Sequence, residues 1–196
     1  MTSMPGAENL SLEPTVRLVA SAQAGDEAAR QALYERYHQR VLSIVRVRMG
    51  RKLRTRMESS DLVQSVFLES LKDLGKFEHR TEGAFLHWLS SLVEHKVRNK
   101  AAFFNAQKRD AGREEADAGE PHHFQTPSGL VERAEEVLRV EEAIGKLPKE
   151  QGEMVVMAIL EGLTYEEIAE LTGKTPDASR MAVARALVKI TGSLTS

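Results

Sequence analysis

Cysteine is absent from this chain of 196 residues. Disulfides and thiolate metal sites are thereby excluded, a pattern that fits a reducing cytoplasm. No apolar run reaches the ~18 residues of a membrane span, so membrane insertion is not expected. Residues 1–13 lack the basic start and apolar core of a signal peptide and are expected to form a flexible tail. The chain shows no glycine-rich phosphate loop, no ligand set at metal spacing and no nucleophile–base pair. Neither catalysis nor a cofactor is expected. Strong charge of one sign is missing too. The net charge is −2, so any nucleic-acid surface must come from local segregation of charge.

What is present is helical periodicity, with no strand pattern and no internal repeat. A short helix is expected from Pro14 to Ala24, closed by Gly25. Asp26 should cap a long helix, Glu27 to Met49, with Ala29, Leu33, Tyr37, Val41, Ile44 and Val45 on its buried side. Arg46, Arg48, Arg51, Lys52, Arg54 and Arg56 follow with no acidic residue between Glu35 and Glu58. So dense a basic stretch points to a polyanion partner. A further helix should start at a serine cap, Ser59 or Ser60. Leu62, Val66, Leu68 and Leu71 would supply its core side, and Asp61, Gln64 and Ser65 its outer surface.

Gly75 to Arg80 reads as a loop, and Thr81 as the cap of a third long helix. Phe85, Trp88, Leu89, Leu92 and Val93 form its apolar stripe. Its second half turns basic: His95, Lys96, Arg98, Asn99 and Lys100, then Phe103 and Phe104, then Lys108 and Arg109. Cations interleaved with aromatic rings suit single-stranded nucleic acid, because cations track the backbone while rings stack on unpaired bases. Core packing explains Phe103 and Phe104 equally well. Residues 110–129 are rich in Gly, Ala, Asp and Glu, hold Pro121 and Pro127, and read as a flexible acidic linker. His122 and His123 within it have no partner ligands and should be solvated.

Past the linker, an acidic amphipathic helix is expected from Leu130 to Gly145. Another begins at Leu147-Pro148, with Met154, Val155, Val156, Ile159 and Leu160 apolar. Thr164 and Glu167 then form a capping box, Ile168, Ala169 and Leu171 give an apolar side, and Gly173 closes the helix. Thr175 caps the next helix, with Pro176 at its first position and Asp177 complementing the dipole. Ala178, Ala182, Val183, Ala186, Leu187 and Ile190 recur at a period near 3.6. Asp177, Arg180, Met181, Arg185 and Lys189 occupy the other face. Two capped helices around a glycine turn, the second with a basic outer face, describe a helix-turn-helix.

Three of these stretches, in this order, resemble the extracytoplasmic-function (ECF) sigma factors, the minimal members of the sigma-70 family. Asp61-Leu62-Val63-Gln64-Ser65-Val66-Phe67 resembles the segment of region 2 that docks on the β′ clamp helices of RNA polymerase. Phe85-Leu86-His87-Trp88-Leu89 through Arg98-Asn99-Lys100 resembles the helix that opens and reads the −10 element. Leu147-Pro148 through Ala186 resembles region 4, whose helix-turn-helix reads the −35 element. The chain departs from the family pattern at Ser65, usually acidic, at Ser179, usually apolar, and at Ala182, often larger.

The resemblance implies an all-α protein of two small helical domains: residues 14–109 like region 2 and residues 130–196 like region 4, tethered by the linker. It implies binding to core RNA polymerase, through the β′ clamp helices and the β flap, and to promoter DNA. An anti-sigma factor is a candidate third partner. Lys174, Thr175, Pro176, Asp177, Arg180, Met181 and Arg185 would enter the major groove, Arg180 on a base edge and Lys174 and Arg185 on phosphates. Lys76, Phe77, His79 and Arg80, with Lys96, Asn99, Lys100 and Phe103, would hold the non-template strand at the −10 element. Asp61, Gln64 and Ser65 would meet polymerase. The C-terminal half read alone also fits a helix-turn-helix regulator that never touches polymerase. A degenerate sigma scaffold serving as an interaction protein is a further alternative. Free of polymerase, the chain is expected to be either compact and self-masked or mobile about its linker.

Overall fold

Helix α2 (Glu27–Arg54) is the element on which the others pack. The structure, a computed structural model, describes residues 14–78, 83–110 and 128–195. The N-terminal group consists of α1 (Thr15–Gln23), α2, α3 (Ser59–Asp73), a 3-10 turn (Leu74–Lys76) and α4 (Ala84–Asp110). The C-terminal group consists of α5 (Ser128–Gly145), α6 (Lys149–Val155), a π-helical segment (Val156–Glu161), α7 (Tyr165–Thr172) and α8 (Pro176–Leu194). Every regular element among the described residues is helical.

The N-terminal group follows from its apolar spacing. Ala29, Leu33, Tyr37, Val41, Ile44 and Val45 all lie in the core, at steps of three or four residues that end in the adjacent pair Ile44 and Val45. A fully buried Leu or Ile contributes ~1.5–3 kcal/mol, so this stripe is what holds α1, α3 and α4 to α2. Gly25, at φ 97°, turns the chain out of α1, and Asp26 Oδ1 accepts the backbone N–H of Ala28 at 2.9 Å to cap α2. Gly50, at φ 62° and ψ 173°, interrupts the helix, and helical structure resumes up to Arg54 rather than ending at Met49.

Three expectations are corrected in this half. The residue before α3 is Glu58, in extended conformation and with no side-chain capping bond, so neither serine serves as the cap. Leu68 and Leu71 are exposed, and Val63 and Phe67 take the buried positions beside Leu62 and Val66. The apolar stripe of α3 therefore runs 62, 63, 66, 67. Trp88 sits at the rim of the core rather than within it, half-buried, with its ring 4.9 Å from that of Phe77. The expected Thr81 cap lies outside the described residues.

In the C-terminal group, Met154, Val155, Val156 and Met157 are all buried, a run that a regular α-helix would spread around its axis. The π segment Val156–Glu161 takes up the second half of this run. It continues a helix that is covered on two sides: Val155 and Val156 face the core shared with the N-terminal helices, and Met154 and Met157 face a second cluster with Leu163, Ile168 and Val183. Ile159 is exposed despite its apolar side chain. Gly162, left-handed at φ 76°, ends the segment. Ala143, Ile144, Val155, Val156, Ala186 and Ile190 join the same apolar core as the N-terminal helices, so the two groups are packed together.

Candidate nucleic-acid interface

The turn between α7 and α8 is pinned at both ends. Thr164 Oγ1 accepts the N–H of Glu167 at 3.2 Å, and Glu167 Oε2 accepts that of Thr164 at 2.8 Å. Gly173 is left-handed at φ 68°, and Thr175 Oγ1 accepts the N–H of Ala178 at 3.2 Å. Such caps are worth ~1 kcal/mol each and set the angle at which α8 leaves the turn. Ser179, Val183, Ala186 and Ile190 make the buried face of α8. Ala178 and Leu187, expected there, are exposed, as is Leu171 on α7. A step of three or four residues from Ser179 leads to Val183, Ala186 and Ile190 and rotates those two alanine and leucine positions outward.

The opposite file of α8 presents Asp177, Arg180, Met181 and Arg185 to solvent, with Thr175 and Pro176 at its exposed start. Arg180 Nη2 lies 3.0 Å from Asp177 Oδ1, and Lys174 Nζ 2.6 Å from Glu150 Oε1. The Lys174 ammonium holds the Glu150 carboxyl below its ordinary range. Exposed pairs of this kind are screened by water and contribute little, so a phosphate or base edge displaces either readily.

In the N-terminal group, α3 and α4 frame a groove of about 310 Å³. Ser65, Lys96, Asn99, Lys100 and Phe103 line it together with Leu62, Glu69 and His95. Five residues singled out in the sequence are thus brought to one place. Lys96 Nζ meets Glu69 Oε2 at 2.5 Å, and Asn99 Nδ2 lies 3.2 Å from His95 Nε2. The two phenylalanines divide. Phe103 is 55% exposed at the groove, whereas Phe104 is partly buried against the core with the Arg56 guanidinium 5.5 Å from its ring centroid.

The loop residues are placed apart from that groove. Phe77 packs on Trp88 and Phe85, and its carbonyl accepts Gln23 Nε2 at 2.8 Å. Lys76 is exposed and paired with Asp73 at 2.6 Å, which raises the Lys76 ammonium above its ordinary range. His79 and Arg80 lie outside the described residues. Asp61 and Gln64 are exposed on α3, one turn apart, and Ser65 is half-buried beside them.

The basic stretch after α2's midpoint is not simply open to a polyanion. Arg48 is surrounded by carboxylates: Glu153 at 2.9 Å, Glu94 at 3.4 Å and Glu161 at 3.6 Å. Arg46 stands 3.9 Å from the buried Glu141. Burial pushes the Glu141 carboxyl above its ordinary range, against the opposing influence of Ser43, Arg46 and Arg54. Sequence reasoning did not find this cluster. Its signal was Glu161 itself, a carboxylate closing the apolar run Val155 to Leu160.

Comparison with known proteins agrees with this geometry. Residues 33–108 match the profile of sigma-70 region 2, and residues 138–190 that of sigma-70 region 4. The ECF RNA polymerase sigma factor SigD of Mycobacterium tuberculosis is 30% identical over 178 residues, 88% of this chain and 80% of that protein. This chain belongs to the ECF sigma factors. The ECF RNA polymerase sigma-E factor of Escherichia coli is 30% identical over 165 residues, 79% of this sigma factor and 80% of its own length. A chain in the solved structure of CnrH in complex with the cytosolic domain of CnrY shares the fold. Its TM-score is 0.57 at 20% identity, over 93% of this chain and 98% of that one. In the family's terms α2–α4 carry region 2 and α5–α8 carry region 4. No helix among the described residues is long and apolar enough to cross a membrane.

Proposed function

We propose that this ECF sigma factor directs core RNA polymerase to promoters by reading the −35 element with α8 and the opened −10 element with the α3–α4 groove. The observation that carries the reading is the outer file of α8. Arg180, Met181 and Arg185 stand exposed on one face of a helix whose entry angle is set by two capped ends. Arg180 is positioned near the N-terminal end, where a major-groove helix meets base edges. A bidentate pair to guanine there gives ~1–3 kcal/mol of discrimination. Lys174 and Arg185 would contact phosphates, which position the helix without reading sequence.

Lys96, Asn99, Lys100 and Phe103 would hold the non-template strand, with the exposed Phe103 ring as a stacking surface. Lys76 would meet the backbone from the preceding loop, with His79 and Arg80 as its neighbours in sequence. Phe77 would support that loop from within through its stacking on Trp88. Asp61 and Gln64, exposed one turn apart, would tie region 2 to the β′ clamp helices, with Ser65 at the edge of the contact. We assign residues 14–109 to the first functional unit, 110–129 to the tether and 130–196 to the second. The chemistry is binding and melting, with no covalent step.

Run-off transcription tests this. The purified protein, core RNA polymerase and fragments of its own genome should yield discrete starts that share two upstream sequence boxes. Arg180→Ala and Asp61→Ala should each abolish them, the first by loss of promoter choice and the second by loss of polymerase binding. Starts unaffected by Arg180→Ala would overturn the assignment of α8 as reader.

A further inference from the structure

Between regions 2 and 4 lies a cluster of buried charge. Glu161, at the end of the π segment, is 2% exposed. Across the boundary, Ser90 Oγ on α4 donates to its Oε1 at 2.5 Å, and His87 Nδ1 lies 2.6 Å from its Oε2. Arg48 on α2 stands behind them, 3.6 Å from Glu161 and 3.2 Å from Ser90 Oγ. The same guanidinium reaches Glu153 on α6 at 2.9 Å. Two residues after Glu161, Leu163 comes so near Gly83 that a Cβ there would stand 2.9 Å from its Cδ2.

A carboxylate buried this deeply is stable only while its partners remain, and here every polar partner named belongs to region 2. Removing one partner of a buried pair is strongly destabilising, whereas separating both sides into water rehydrates all of them together. Such a contact specifies one arrangement of the two regions and is released as a unit. We infer that the Glu161 cluster, with Arg48, His87 and Ser90, is a latch that holds the free sigma factor closed and must open before a promoter is engaged. The inference rests on the promoter-reading proposal above for its consequence. A closed chain of this length has a radius of gyration of ~16 Å and a breadth of ~40 Å. The −35 and −10 elements lie ~25 base pairs apart, or ~85 Å at ~3.4 Å per pair. One closed body does not span both. The closed state also occupies Arg46 and Arg48 with the protein's own carboxylates, which withdraws them from any phosphate.

Fluorescence energy transfer within the free, full-length protein tests the latch. The chain has no cysteine, so Lys72→Cys and Glu170→Cys give two exposed labelling sites, one in each region. The unmodified latch should show one high-transfer population. Arg48→Ala, which strands Glu161, and Gly83→Phe, which wedges the boundary at Leu163 while removing none of the side chains that bond Glu161, should each lose it. Unchanged helical circular dichroism would show that each variant is folded, and Gly83→Phe decides the matter if Arg48→Ala is not. A high-transfer population retained in a folded variant, or missing from the parent, would overturn the inference. Neither DNA nor polymerase is present, so failure of the latch is distinguishable from failure of promoter reading.

Discussion

Replacing Ser179 with alanine is expected to stabilise this protein. Ser179 lies on the buried face of α8 with no exposed surface, and its hydroxyl has no hydrogen-bond partner. Its backbone N–H is already bonded to the Thr175 carbonyl at 2.9 Å, so the hydroxyl is the sole unmet group of the residue. A buried unsatisfied hydroxyl costs ~1–3 kcal/mol, and alanine adds about half a kcal/mol of helix propensity. The lost oxygen leaves a void no larger than a single methyl group, at the small end of the cavity penalty. A net gain of ~2 kcal/mol follows, which at an m-value of ~2 kcal/mol per molar moves the urea midpoint up by ~1 M. Circular dichroism across a urea series reads this directly. DNA reading should be unaffected, because Ser179 faces away from Arg180 and Met181. A midpoint unchanged or lowered at constant m would refute the reasoning.

Thr175→Ala removes the cap of α8 and should cost ~1 kcal/mol, seen as a lower urea midpoint. Phe103→Ala should leave the midpoint unchanged, since the ring is exposed. It should weaken binding of a −10 non-template oligonucleotide by the sigma–polymerase complex by ~1–3 kcal/mol, measured by fluorescence anisotropy. The closed state should loosen in alkali. The hydrogen bond to Glu161 is the main reason the His87 imidazole is raised above its ordinary value of 6.5, and burial and Arg48 oppose it while Glu167 adds to it. The closed form therefore binds the proton more tightly. Its contribution is complete below about 6.5 and is lost as pH rises through the raised value. The high-transfer population should shrink as pH rises above neutrality, and growth instead would sink the assignment.

Much of the fold was legible because local rules and global packing agreed. Asp26, Thr164, Glu167, Gly173 and Thr175 act through neighbours two to four residues away, so their capping roles could be read without tertiary information. The same holds for the buried stripe of α2, which repeats over nearly five turns from Ala29 to Val45. Errors fell where a short apolar segment offered more candidates than one face accepts. Leu68, Leu71, Leu171 and Leu187 are exposed because Val63, Phe67, Ile168 and Val183 already fill the inward positions. Ser179 went the other way. A polar residue took a buried position because the helix phase, set by Thr175 and Pro176, leaves that position no alternative.

The candidate site shows the same division. Membership of the groove by Lys96, Asn99, Lys100 and Phe103 follows from their spacing on one helix, and sequence placed them together. That Ser65 faces them, that Phe77 turns inward to Trp88, and that Phe103 and Phe104 part company depended on α3 and the 3-10 turn packing where they do. The sequence by itself determined the helical class, the caps at Asp26, Thr164 and Thr175, and the family, because those reside in near neighbours and in motif order. Tertiary structure alone decided that Arg48 would meet Glu161 from 113 positions away. A contact between distant residues carries no periodicity, and its energy exists only once burial has removed the water that would otherwise screen it.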